Sequence, residues 1–225
     1  MKTIIAQKTI AGLAASVLLS FAASAAVPTN PAIYYNADGN HYLGTVRALE
    51  DTPGATEIGD QVTFAGTLRD ITDLQYNYFL SGNASGNETA QLFLRALDGP
   101  TFNGFASPGS TLYTGDIVNL VPSNQGSVTV NGITGFTMPD TVAWSVVFGG
   151  IEAGESVGLL YYDPPNTGTS DDDFWARIGG SWQLLDQPGI KDNFGFAAYA
   201  VPEPGTWALM LGGLGLLGFL RRRKA

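Results

Sequence analysis

TVAWSVVFGG, residues 141–150, is the stretch that decides the fold. Val142, Trp144, Val146 and Phe148 alternate with Ala143, Ser145 and Val147. Side chains of a strand point to opposite faces at period two, so this stretch lays one large apolar row on one face of a sheet. Other stretches repeat the pattern. In DLQYNYFL, Leu74, Tyr76, Tyr78 and Leu80 alternate with Gln75 and Asn77. AQLFLRAL sets Leu92, Leu94 and Ala96 opposite Phe93 and Arg95, and QVTFAGTL puts Val62, Phe64 and Leu68 on one face. Further strand candidates are DIVNLV, GSVTVNG, ESVGLLYYD, DDFWARI, GSWQLL and DNFGFAAYA.

The breaks between these stretches carry turn chemistry: SGNASGN from Ser81, DPPNTGTS from Asp163 and DQPGIKDN from Asp186 are rich in Gly, Pro, Asn and Asp. About ten short strands separated in this way predict an all-β fold, an antiparallel β-sandwich or jelly roll. A parallel α/β fold would need amphipathic crossover helices, and none is visible. Two local exceptions are a turn near Ala153 and a short helix capped by Asp171, an alternative to a strand over DDFWARI.

Both ends read as targeting segments around one domain at 27–200. In residues 1–26, Lys2 and Lys8 precede an apolar run at 9–23, and Ala23-Ser24-Ala25 offers the small residues of a signal-peptidase site. A signal peptide helix is expected there. At the other end, 201–225, Pro202-Glu203-Pro204 precedes fourteen uncharged residues at 207–220 and then Arg221, Arg222, Arg223 and Lys224. As a helix, the uncharged run spans about 21 Å against a hydrocarbon core of about 30 Å, a marginal transmembrane segment. The prolines hold the preceding stretch extended, and the cations stay on the cytoplasmic side.

Pro202-Glu203-Pro204, a glycine-rich apolar segment and a terminal basic cluster, in that order, resemble a PEP-CTERM sorting signal. The resemblance implies an exported protein of a Gram-negative bacterium that makes extracellular polysaccharide. It also implies an inner-membrane exosortase that cuts near Pro202-Glu203-Pro204. Residues 139–184, PDTVAWSVV through DFWARIGGSWQL, are similar to β-sandwich PEP-CTERM proteins of unknown activity. The expected course is transient anchoring in the inner membrane, then release to the cell envelope, surface or extracellular matrix. The expected role is structural or adhesive, in association with exopolysaccharide, and not enzymatic.

The charge balance narrows the partners. Residues 27–200 hold five basic residues against nineteen acidic ones, a balance of −14. So few cations cannot neutralise phosphates, which argues against nucleic acid and against an anionic membrane face. The chain has no Cys, which removes disulfides and thiol chemistry. His41 is the single histidine, and no Gly-x-Ser-x-Gly elbow accompanies it, so a turn residue is the expected role.

Two features could bear a ligand. Asp163, Asp171, Asp172 and Asp173 flank one loop with hard oxygen donors, a candidate Ca²⁺ site without EF-hand spacing. Tyr162, Trp175 and Trp182 surround the same loop as candidate glycan contacts, with core packing as the alternative. A carbohydrate-binding module is therefore the second functional reading. A glycan hydrolase using two of these acids is a third, and their spacing in sequence cannot set the carboxylate separation.

Overall fold

A computed structural model describes residues 30–82, 84–186 and 191–201. The segments expected to be a signal peptide and an apolar C-terminal helix, together with Pro202-Glu203-Pro204 and the basic tail, lie outside the described residues.

Fifteen strands are described, with one 3₁₀ turn at Leu49–Asp51. They are β1 (Ala32–Tyr35), β2 (Tyr42–Ala48), β3 (Ala55–Thr63), β4 (Asp70–Ser81), β5 (Thr89–Arg95), β6 (Thr101–Phe102), β7 (Phe105–Ala106) and β8 (Thr111–Asn119). There follow β9 (Ser123–Asn131), β10 (Thr141–Gly149), β11 (Ser156–Tyr162), β12 (Thr169–Ser170), β13 (Phe174–Ile178), β14 (Ser181–Leu185) and β15 (Phe196–Val201). Every described ladder is antiparallel.

The strands form two main sheets and a hairpin. In the first sheet, β4 is the spine. One of its edges carries β9, and the other is shared end to end by β15 and β11, which pair in turn with β1 and β2. The second sheet runs β14-β13-β3-β10-β5-β8, with β12 beside the end of β3. The two sheets face each other across one apolar core, as expected of a sandwich.

Alternation decides which residues fill that core. Val142, Trp144, Val146 and Phe148 of β10 are buried, as are Leu74, Tyr76, Tyr78 and Leu80 of β4 and Leu92 and Leu94 of β5. Trp144 stacks on Phe196 of the opposite sheet at 4.6 Å and 11°, meets Phe194 edge-on at 6.3 Å, and lies 6.5 Å from Tyr76. Aromatic pairs of this kind add to the area they bury, so Trp144 is the rivet between the sheets.

Two sequence expectations change. β13 is a strand from Phe174 and not a helix capped by Asp171, because Trp175 and Arg177 pair with Gly59 and Glu57 of β3. The strand holding Val62 ends at Thr63. Gly66 takes φ 62°, so Leu68 lies beyond the strand and only partly buried. The structure also adds a hairpin of two short strands, β6 and β7, whose turn, Asn103-Gly104, has positive φ at both residues. Asn-Gly is the sequence signature of that turn.

Candidate functional site

The acidic loop is built around a lysine. Asp163 follows β11 and Asp172 precedes β13, and the fold brings the two together. Lys191 Nζ lies 3.0 Å from Asp163 Oδ2 and 3.7 Å from Asp172 Oδ2. Asn193 Nδ2 donates to Asp163 Oδ1 at 2.8 Å and to Asp172 Oδ1 at 3.4 Å. An ammonium and an amide thus already serve the oxygens considered as calcium ligands. Asp171 does not join them. Asp173 is half-buried, and its carboxyl is pushed up to about 6, first by burial and then by Asp171, Asp186, Asp172 and Asp192. Among the described residues, no three acidic or histidine side chains are grouped to hold a metal ion. The four aspartates do not form one calcium cage.

His41 belongs to a neighbouring loop. Asp38 Oδ1 accepts the backbone N–H groups of Asn40 and His41 at 2.9 and 3.1 Å, and its other oxygen accepts Asn166 Nδ2 at 2.7 Å. The hydrogen bond from Asn166 holds the Asp38 carboxyl below the usual carboxylate range, with the amides of Asn40 and His41 and the imidazole contributing. His41 Nδ1 is 3.1 Å from Asp38 Oδ1, and the His41 carbonyl accepts the N–H of Asp163 at 2.9 Å. These bonds seal one loop to another.

The three aromatic candidates part company. Trp175 and Tyr162 are 1% and 3% exposed, so neither offers a ring face to a sugar. Tyr162 packs with Tyr42, Ala48, Phe79 and Leu160 in a small cluster apart from the main core. Its ring also lies against Gly195, where a Cβ would stand 2.7 Å from the ring carbons. Trp182 is only partly buried. It lines a cavity of about 350 Å³ together with Pro100, Thr101, Phe102, Ser107, Gly180 and Ser181.

That cavity lies between the β6–β7 hairpin and the β13–β14 turn. The Asn103-Gly104 turn folds the hairpin back, and the Gly179-Gly180 pair, both at positive φ, makes the other wall's tight turn. Behind it, the Arg95 guanidinium stands 5.5 Å from the Trp182 ring centroid. Arg95 in turn donates to Glu57 Oε1 through Nε at 2.9 Å and Nη2 at 2.7 Å. Ser145 Oγ donates to the same oxygen at 2.5 Å, and Arg177 lies 3.6 Å from Oε2. The network fixes the cation on Trp182. An indole, a phenyl ring and three hydroxyls with no ionisable side chain in the lining suit a neutral, hydroxyl-rich ligand.

A second cavity, of about 530 Å³, lies on the outer side of the first sheet. Tyr42, Phe79, Glu50, Asp51, Ser81 and Asn124 are among its lining residues. Sequence reasoning missed both Glu57 and this second group, because each arises only when distant strands come into register.

Residues 200–224 match the family model described as the PEP-CTERM protein-sorting motif. No curated protein and no solved structure matches the chain. The similarity of residues 139–184 to other β-sandwich proteins thus gains no support. The motif marks an exported protein that an exosortase processes, bound for the cell surface or envelope.

Proposed function

We propose that this PEP-CTERM protein is a non-enzymatic component of the cell envelope or extracellular matrix, structural or adhesive, and associated with exopolysaccharide. Signal peptidase and exosortase act on it in transit, and the apolar C-terminal helix anchors it until cleavage. The sorting motif is the observation that carries the reading. The acidic, cysteine-free domain is consistent with solubility outside the cell.

A second reading is carbohydrate binding at the Trp182 cavity, supported by its aromatic and hydroxyl lining without charged groups. The test is retention of the exported protein on the host's own extracellular polysaccharide, for the parent chain and for Trp182→Ala. We expect retention of the parent, unchanged by a calcium chelator, and a loss of about tenfold or more in Trp182→Ala, on the scale of one aromatic anchor. Failure of the parent chain to bind would overturn the polysaccharide association, and undiminished binding of the variant would overturn the Trp182 assignment alone.

A further inference from the structure

The edges of the sandwich that are unpaired among the described residues are not alike. β1 has four residues and β14 five. β2 carries Arg47 and a register break against β11, and β8 carries Asp116 and two register breaks against β5. Short length, charge and bulges are the ordinary ways to stop an edge from pairing with another chain. β9 has none of the three over most of its length. It is nine residues long, and it pairs with β4 without a break from Asn131 to Gly126. It lies inside residues 117–139, a run with no charged side chain.

The direction of its backbone groups follows from β4. Asn77 donates its N–H to Gly195, on the side of β4 away from β9. Backbone groups alternate along a strand, so Tyr76 and Tyr78 face β9 and bond to Val128 and Gly126. Ser127 and Thr129, opposite Asn77 and Gln75, therefore direct their N–H and C=O groups outward. The Ser127 side chain is exposed, whereas Val128 and Val130 pack on the core.

The corner beside this edge is held rigid. Tyr78 Oη donates to the Val121 carbonyl at 2.9 Å and accepts the Val121 N–H at 3.1 Å. Val121 stays 68% exposed and Ile117 of β8 67% exposed. Val121 lies in the short turn from β8 to β9, beside the open edge, whereas Ile117, opposite Gln91, points to the outer face of the second sheet.

We propose that β9 pairs antiparallel with β9 of a second copy, joining two first sheets into one continuous sheet. The charge distribution selects this occupant. Two domains with a balance of −14 repel one another over most of their surface, and the uncharged run is where they can meet. An uncharged edge offers a charged partner nothing to recognise, while an identical strand satisfies its outward groups symmetrically. Centring the pairing on Ser127 overlaps all nine residues of β9.

The chain lacks cysteine, so Ser127→Cys is a clean reporter. Hydrogen-bonded antiparallel pairs have Cα atoms about 5.5 Å apart, within disulfide reach. In the full chain exported by its host, mild oxidation should give a disulfide dimer with Ser127→Cys and not with Ser181→Cys on β14. Ser127→Pro removes an outward N–H and leaves the β4 ladder intact. Sedimentation velocity should show the parent as a dimer and Ser127→Pro as a monomer with an unchanged circular dichroism spectrum. Should that variant misfold, Ser127→Lys sets like charges opposite each other and should weaken the dimer about fivefold. A parent that stays monomeric overturns the proposal. So does a dimer that is indifferent to these variants and forms no cross-link in Ser127→Cys.

Discussion

Glu57 and Asp60 stand three residues apart on β3, on opposite faces, and both are shut off from water. Glu57 faces outward beneath two arginines, with Arg95 at 2.7 Å and Arg177 at 3.6 Å. Asp60 lies across from Trp144 on the core side, and among the described residues no cation lies within salt-bridge distance of it. Its oxygens accept Ser170 Oγ at 3.0 Å and the N–H groups of Gln61 and Phe194 at 2.6 and 3.3 Å. Burial pushes the Asp60 carboxyl well above the ordinary carboxylate range, against the pull of those bonds and with the help of Asp173. One strand thus meets the cost of a buried acid in two ways, by pairing the charge and by favouring the proton.

The largest effect comes from breaking the paired side. Glu57→Ala leaves Arg95 buried without its counter-charge, and loss of one partner of a buried pair costs about 3–5 kcal/mol. Urea unfolding should show that loss. Replacing both partners, as Glu57→Leu with Arg95→Met, should cost markedly less than the single change, since no uncompensated charge remains. Equal losses for the single and double variants would mean that packing, and not charge, gives Glu57 its importance.

The unpaired side predicts a pH dependence instead. Asp60 has a raised value in the folded state, so the unfolded chain releases its proton first as pH rises. The favourable contribution is complete below the ordinary carboxylate value and is lost as pH climbs toward the folded value. Asp60→Asn should remove this part of the pH dependence. Relative to the parent, the variant should fare better at neutral pH than at pH 4. A parallel shift at every pH would show that Asp60 holds its proton equally in the folded and unfolded chain.

How much of this was legible follows from strand geometry. The inward rows of β4, β5 and β10 were readable because bulky residues alternate with smaller or polar ones. β1 and β2 were not, since AIYY is short and YLGTVRA is largely exposed and lacks a clean apolar row. Glu57 gave no local signal. A glutamate in a strand normally marks the wet face, and only register with Arg177 and proximity to Arg95 make its site buried and paired. The β6–β7 hairpin carries its own signal in Asn103-Gly104, and the Trp182 cavity required in addition that this hairpin stand beside β14. Tyr162 could not be told from a surface aromatic for the converse reason: Tyr42, Ala48 and Phe79, all distant in sequence, pack with it.

Asp173 places a smaller, half-exposed acid beside the same problem. Its carboxyl is pushed up to about 6, with burial first and the aspartates around it next. The sign matches that of Asp60: the folded state holds the proton more tightly, so stability falls as pH rises from the ordinary carboxylate value to about 6 and is flat above it. Asp173→Asn should flatten thermal midpoints across that window and leave them unchanged below it. The gain at pH 7 should be smaller than any gain from Asp60→Asn, because water still screens a half-exposed group. Asp173 also raises the Asp60 carboxyl, so its neutralisation should ease ionisation of Asp60 and move that residue's transition to lower pH. A transition unmoved by Asp173→Asn would show that the two acids titrate independently, and that burial alone holds the proton on Asp60.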